Sequence, residues 1–293
     1  ELEEIESIQW DGQGKVKAVL REASSSRPDL RFGYDAGGNR ISKTVQPKGS
    51  DGALLPQNQW LTTFYLRDAQ GQLMATYALE SSAAQLQSHW LYGSDRLGKR
   101  QASNALSALQ TKTTGQTQYE LKNHLGNVLA VVSDRAVSSV SAAGEVLIKA
   151  ELMSYGDYFP FGMQMPGRVF NSGDHVYGFG GHLKDDEIKG IGNQMDFGGY
   201  GLDVRLGRRP NVDPLAPDAP DWTPYRVFFC NPIRYTDRDG RWEWDAVGNL
   251  VAQKGDQSYS LAKFLGTSQK NAMVILELSD LTGSKTIRYI CIA

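Results

Sequence analysis

Thr62-Thr63-Phe64-Tyr65-Leu66-Arg67-Asp68-Ala69-Gln70-Gly71-Gln72-Leu73-Met74-Ala75-Thr76-Tyr77 reads as two strands joined by a tight turn. Its flanks are rich in β-branched and aromatic residues, which suit a pleated, half-buried surface. Between them the Asp68 side chain can cap backbone N–H groups while Gly71 takes the positive φ that closes a short hairpin. The same punctuation, Asp or Asn with Gly three positions on, recurs along the chain. It stands in Trp10-Asp11-Gly12-Gln13-Gly14-Lys15-Val16, Tyr34-Asp35-Ala36-Gly37-Gly38-Asn39-Arg40-Ile41, Lys122-Asn123-His124-Leu125-Gly126-Asn127-Val128 and Trp244-Asp245-Ala246-Val247-Gly248-Asn249-Leu250. Repetition of this kind predicts a mainly β chain laid out as a meander of antiparallel hairpins.

Helical periodicity is confined to the end of the chain, at Ser260 to Leu265 and Gln269 to Leu278. The Ser-rich stretches Ala23 to Arg27 and Ser138 to Gly144 predict loops between hairpins. With 293 residues there is material for a sizeable core. A formal net charge of -2 supplies no broad basic field, so nucleic acid is not an expected partner. The two cysteines, Cys230 and Cys291, form no CxxC pair and predict neither a zinc site nor a disulfide framework. No apolar run approaches the roughly 20 residues of a membrane span, so none is expected. A start at Glu1-Leu2-Glu3-Glu4, without Met or an apolar leader, suggests a piece of a longer chain.

Tyr34-Asp35-Ala36-Gly37-Gly38-Asn39-Arg40 resembles the YD repeat of Rhs and teneurin-type proteins. Further on, Arg205-Leu206-Gly207-Arg208, Val212-Asp213-Pro214-Leu215, Thr223-Pro224-Tyr225, Asn231-Pro232-Ile233 and Asp237-Arg238-Asp239-Gly240 follow in the order of the Rhs repeat-associated core. Tyr158-Phe159-Pro160-Phe161-Gly162-Met163 and Lys184-Asp185-Asp186-Glu187-Ile188-Lys189-Gly190 resemble the Bacteroidetes-like form of that core. The resemblance covers about residues 8 to 242. One block departs: the family's Gly-Ala-Arg-x-Tyr-Asp-Pro is replaced by Gly198-Gly199-Tyr200-Gly201-Leu202-Asp203-Val204, which loses an arginine, a tyrosine and a proline.

This resemblance implies hairpins wound into part of a hollow β-cocoon over residues 1–242, followed by a variable tail with a small α+β fold over residues 243–293. It implies a bacterial polymorphic toxin, secreted or at the cell surface, whose shell encloses a tail or toxin cargo. The upstream part of the same shell and a secretion machinery would be its partners, and no cofactor is implied. In the family, two D-P-x-G-L-like motifs bracket an aspartate-dependent self-cleavage that falls after the second. They map to Asp213 and Asp237, with the cut near Arg241 or Trp242. Such autoproteolysis is a single-turnover event.

Two carboxylates brought together suit peptide hydrolysis, since mutual repulsion and burial keep one protonated while its ionised partner activates water. The pair would titrate as a unit, so the sequence assigns the base role to neither. Arg205 or Arg208 would hold one carboxylate or polarise the scissile carbonyl. The competing reading makes Asp213 and Asp237 ordinary turn aspartates. His182, Asp185, Asp186 and Glu187 have metal-ligand chemistry but read better as a solvated charged loop, and no metal is expected. The aromatic group Tyr155, Tyr158, Phe159, Phe161, Phe170, Tyr177 and Phe179 reads as core.

Val251 to Ser268 resembles the opening of a LysM module, a fold that binds peptidoglycan or chitin. A Gly255-Asp256 turn and Tyr259 would then belong to a glycan site. The pattern predicts a strand, a helix burying Leu261, Phe264 and Leu265, a second helix starting at a Thr267-Ser268 cap, and a closing strand over Thr286 to Ile292. A cell-surface or secreted glycan-binding or structural assembly protein without catalysis is therefore the alternative function.

Overall fold

A computed structural model describes residues 4–12, 14–80, 83–102, 114–172, 175–198, 200–213, 216, 222–237, 243–245, 250–251, 261–262, 268, 270–271 and 286–287. Its main body is one antiparallel sheet of twelve strands in sequential order. They are β1 (Ile5–Trp10), β2 (Val16–Arg21), β3 (Asp29–Tyr34), β4 (Arg40–Gln46), β5 (Leu61–Arg67) and β6 (Leu73–Glu80), then β7 (Ala83–Tyr92), β8 (Arg96–Gln101), β9 (Thr117–Lys122), β10 (Val128–Val140), β11 (Val146–Tyr158) and β12 (Gln164–Asn171). Each strand pairs with the next, as the punctuated hairpins predict.

The turns share one geometry. In Asp11–Lys15, Asp35–Asn39, Asp68–Gln72 and Asn123–Asn127 the first N–H donates to the fifth carbonyl, and the fourth residue, a glycine, donates to the first carbonyl. The first side chain accepts from the fifth N–H at 2.7 to 3.0 Å. Gly14, Gly38, Gly71 and Gly126 all sit at φ between 76° and 83°, as a three-residue loop with a left-handed closing position requires. Four further turns, at Gly49–Ala53, Ser141–Glu145, Phe159–Met163 and Gly178–His182, keep the backbone bonds without an Asp or Asn at the first position.

A second repeating device ties hairpin to hairpin. Tyr34, Tyr92 and Tyr158 end β3, β7 and β11, and each hydroxyl donates to the carbonyl of the residue that opens the preceding strand, Val16, Leu73 or Val128, at 2.9 to 3.0 Å. Arginines open β4 and β8, and each guanidinium lies over the aromatic ring two residues before the tyrosine. Arg40 is 4.6 Å from the Phe32 ring and Arg96 is 6.0 Å from Trp90. The ring faces and their negative quadrupoles thus pre-form two cationic sockets on the sheet.

Residues after β12 seat in these sockets. They carry the small sheet β13 (Leu183–Lys184), β14 (Gln194–Asp196) and β15 (Gly201–Asp203), with the helical turn α1 (Asp186–Lys189) between β13 and β14. Ile188 of α1 is buried among Val16, Val19, Leu30 and Phe32. Tyr177 is buried with Leu73, Trp90, Val128 and Val131, its ring 3.5 Å from the Arg96 guanidinium.

Three expectations need correction here. Asp185 does not sit in a solvated loop: only 6% exposed, it accepts both of its bonds from Arg40, which also pairs with Asp196 at 3.1 Å. Lys15 adds a further cation 3.7 Å from Asp196. Buried carboxylates persist when cations of matching number face them, and the sequence hid this because Arg40 comes from a distant strand. Glu187 does remain on the surface, paired with Lys43. Ser138, Ser139 and Val140, expected in a loop, instead continue β10, whose pairing with β11 runs from Ala136↔Ala150 to Val140↔Val146. The aromatic group divides: Tyr177 and Phe179 are core, whereas Tyr155, Phe159 and Phe170 are more than 40% exposed.

A last sheet follows: β16 (Tyr235–Asp237), β17 (Glu243–Asp245), β18 (Leu250–Val251) and β19 (Thr286–Ile287), all antiparallel in that order. Leu250, Leu261 and Ala262 are buried, the last two in helical backbone. Ser268 Oγ accepts the N–H of Asn271 at 3.2 Å, the cap that the sequence predicts for a second helix.

Candidate functional site

Asp213 and Asp237 lie on separate segments. The first is placed by a run alongside the Thr223–Arg226 turn: Arg209 N–H donates to the Tyr225 carbonyl at 3.2 Å and Asp213 N–H to the Pro224 carbonyl at 2.8 Å. Asp237 ends β16 and is 4% exposed. Between the two segments the backbone takes an uncommon path, with Phe228, Phe229 and Cys230 all at positive φ (52°, 45° and 55°). Three successive L-residues in the left-handed region store strain of about 1–2 kcal/mol each. The surrounding core pins them, since Phe228 packs with Phe179, Phe197 and Val227.

The cation on Asp213 is Arg209, whose Nη1 is 2.7 Å from Oδ2 and whose side chain is 3% exposed. Arg205 and Arg208, the arginines expected there, face other groups. Arg205 forms an ion pair with Asp203 at 2.9 Å. Burial alone would raise Asp203, but Arg205 and Lys189 outweigh it and hold the carboxyl below the usual range. Arg208 lies 4.5 Å over the Tyr225 ring. Gly207, at φ 62°, closes the tight turn from Asp203 to Arg208 and so sets where these side chains emerge. Nothing in the sequence marks Arg209 apart from the neighbouring arginines.

Above Arg209 begins a column of rings. Its guanidinium carbon is 4.1 Å from the Tyr200 ring. Tyr200 stacks on Phe197 at 5.4 Å with planes 6° apart, and Phe197 stacks on His182 at 3.7 Å. Three members of this column hold the two aspartates. Tyr200 donates its hydroxyl to Asp237 Oδ2 at 3.1 Å, and His182 Nε2 lies 2.7 Å from the Asp237 main-chain oxygen. A carbonyl can only accept, so Nε2 carries the proton. Burial draws the His182 pKa down to about 4 against the opposing pull of that hydrogen bond, which leaves the ring neutral near pH 7. Asp237 is thereby fixed at both its carboxylate and its backbone, and Asp213 is tied to the same column through Arg209.

The Asp237↔Glu243 pair makes residues 238–242 the connection between β16 and β17. Arg241 and Trp242 fall in it and, like Gly255, Asp256 and Tyr259, lie outside the described residues. Among the described residues no three His, Cys, Asp or Glu side chains gather as metal ligands.

No protein-family model matches this chain, and no curated protein matches it. Solved structures do. A crystal structure of TcdB2-TccC3 superposes with a TM-score of 0.54 at 17% identity, over 80% of this chain and 10% of the other. The same shares hold for TcdB2-TccC3 without its hypervariable C-terminal region, at 16% identity and TM-score 0.54. The Tc holotoxin pore of Photorhabdus luminescens, in a TccC3 mutant form, matches at 15% and 0.53. This chain spans about a tenth of the length of those it matches. What they share with it is the fold, an Rhs-like antiparallel β meander.

Proposed function

We propose that this chain is the C-terminal part of an Rhs-type toxin shell in which Asp213 and Asp237 cut the backbone once, near Arg241 or Trp242. The observation that carries this reading is the common column: two aspartates from separate segments are each held by a member of the His182-Phe197-Tyr200-Arg209 stack. Asp237 also opens the connection that contains the expected cut. In the reaction one carboxyl would give a proton to the leaving nitrogen while the other takes one from water. Water adds to the carbonyl carbon, the C–N bond breaks, and a new carboxylate and amine result. The enzyme and substrate are one chain, so each molecule turns over once.

The surrounding shell, its upstream portion and a tail or cargo are the partners in this reading, and the setting is secreted or cell-surface. Likeness of fold to the Tc toxin structures supports it. Denaturing electrophoresis of the purified chain tests it. Wild type should separate into two pieces, and Asp213→Asn and Asp237→Asn should stay whole. A wild-type chain that remains whole refutes the reading.

A second reading is favoured by the tail. Strand β18, the buried helical pair Leu261 and Ala262, the Ser268 cap and the pairing of β18 with β19 follow the strand-helix-helix-strand order of a LysM-like module. A glycan-binding tail, with Gly255, Asp256 and Tyr259 in its site, would retain the intact chain on insoluble peptidoglycan. A chain that stays in the supernatant removes this reading.

A further inference from the structure

Tyr200 stands where the resembling block has an arginine, and the Arg209 guanidinium lies over the tyrosine ring, 4.1 Å from its centroid. Both residues are deeply buried, at 1% and 2% exposure. The phenol oxygen reaches Asp237 and the guanidinium reaches Asp213, so the two contacts share one stacked pair. Behind Tyr200 the Phe197 and His182 rings prevent the pair from tilting, and His182 fixes the Asp237 backbone. A displacement of about 1 Å at a reacting group costs on the order of 100-fold in rate, so a rigid link between the carboxylates matters to any reaction they share.

We infer that Tyr200 and Arg209 are the positioning residues of the self-cleavage, acting as one stacked unit that sets Asp237 and Asp213 relative to each other. The inference rests on the self-cleavage reading and adds to it the residues through which the two carboxylates are coupled. Tyr200→Phe keeps the ring in the column and removes the donor to Asp237. Arg209→Lys keeps the cation and removes the flat surface that stacks. Because both act through one unit, their effects are not independent, and the double variant should lose less than the product of the two single losses.

The test follows the full chain from its synthesis in a cell-free system, measuring the first-order rate of cleavage across pH 5 to 9 for wild type, Tyr200→Phe, Arg209→Lys and the double variant. Thermal melting of each on an Asp213→Asn background, which blocks the cut, reports folding separately. Each single variant is expected to slow cleavage by roughly 10- to 100-fold, to shift its pH profile and to keep a cooperative melt. Single variants that cleave at the wild-type rate with the wild-type pH profile overturn the inference while the self-cleavage reading stands. So does a rate loss matched by loss of the cooperative melt, or a double variant that equals the product of the singles. A wild-type chain that never cleaves overturns both.

Discussion

Arg40 and Asp185, separated by 145 positions, meet through two hydrogen bonds of 2.7 and 2.9 Å in the protein interior. This bond joins the first hairpins of the sheet to the segment that carries the candidate site. Replacing Arg40 with Leu leaves Asp185 and Asp196 buried without their shared cation, and removing one partner of such a pair costs about 3–5 kcal/mol. Urea unfolding of Arg40→Leu should show that loss, whereas Lys43→Leu, on the exposed pair with Glu187, should lose less than about 1 kcal/mol.

The three tyrosine ties are separate copies of one interaction, so their loss should add. Each of Tyr34→Phe, Tyr92→Phe and Tyr158→Phe removes one hydrogen bond to a strand-opening carbonyl, about 1 kcal/mol. The triple variant should lose about 3 kcal/mol in the same urea measurement.

Gly98 shows how closely β8 and β9 approach. A Cβ there would lie 1.9 Å from the Gln118 carbonyl oxygen, and backbone must move to admit it. Gly98→Ala should destabilise by about 1–3 kcal/mol, measured by the shift in urea midpoint. At Cys230, exposed and at φ 55°, the opposite holds. Cys230→Gly relieves left-handed strain and should raise the midpoint, by about 1 kcal/mol after the added chain entropy of glycine.

Acid should weaken the fold through two histidines. Burial lowers His182 to about 4, and burial with nearby Lys184, Lys99, Arg96 and Lys122 lowers His175 to about 2. Glu120 lies 3.6 Å from His175 but is already paired with Arg96 and Lys122, so it does not reverse the shift. A folded pKa below the unfolded value near 6.5 means that the unfolded chain binds more protons in that interval. Stability is therefore complete above pH 6.5 and falls as pH drops toward 4, by about 1.4 kcal/mol per pH unit for each histidine. Urea titrations at pH 7.5, 6 and 5 should follow this trend, and His175→Leu should lessen the slope by one histidine's share.

The meander was legible because its information is local. An Asp or Asn that caps, a Gly at positive φ and flanking β-branched residues all lie within one hairpin, as at Asp68 and Gly71. Turns such as Phe159–Met163 and Gly178–His182 reach the same geometry without the capping side chain and escaped that pattern. The candidate site was legible only in part. Asp213 and Asp237 could be singled out from their motifs, but Arg209, Tyr200 and His182 contribute through stacking across distant segments, which no spacing in the sequence encodes. Asp185 was misjudged for the same reason, its neutralising arginine being on a far strand.

Intact-mass spectrometry of the freshly purified chain tests most directly whether Asp213 and Asp237 form one cleaving pair. The account predicts two species whose masses add to the uncut 293-residue chain plus one water, with the break at Arg241 or Trp242, and one uncut species for Asp213→Asn and for Asp237→Asn. A single full-length mass for wild type, or a break that persists in both variants, would contradict it.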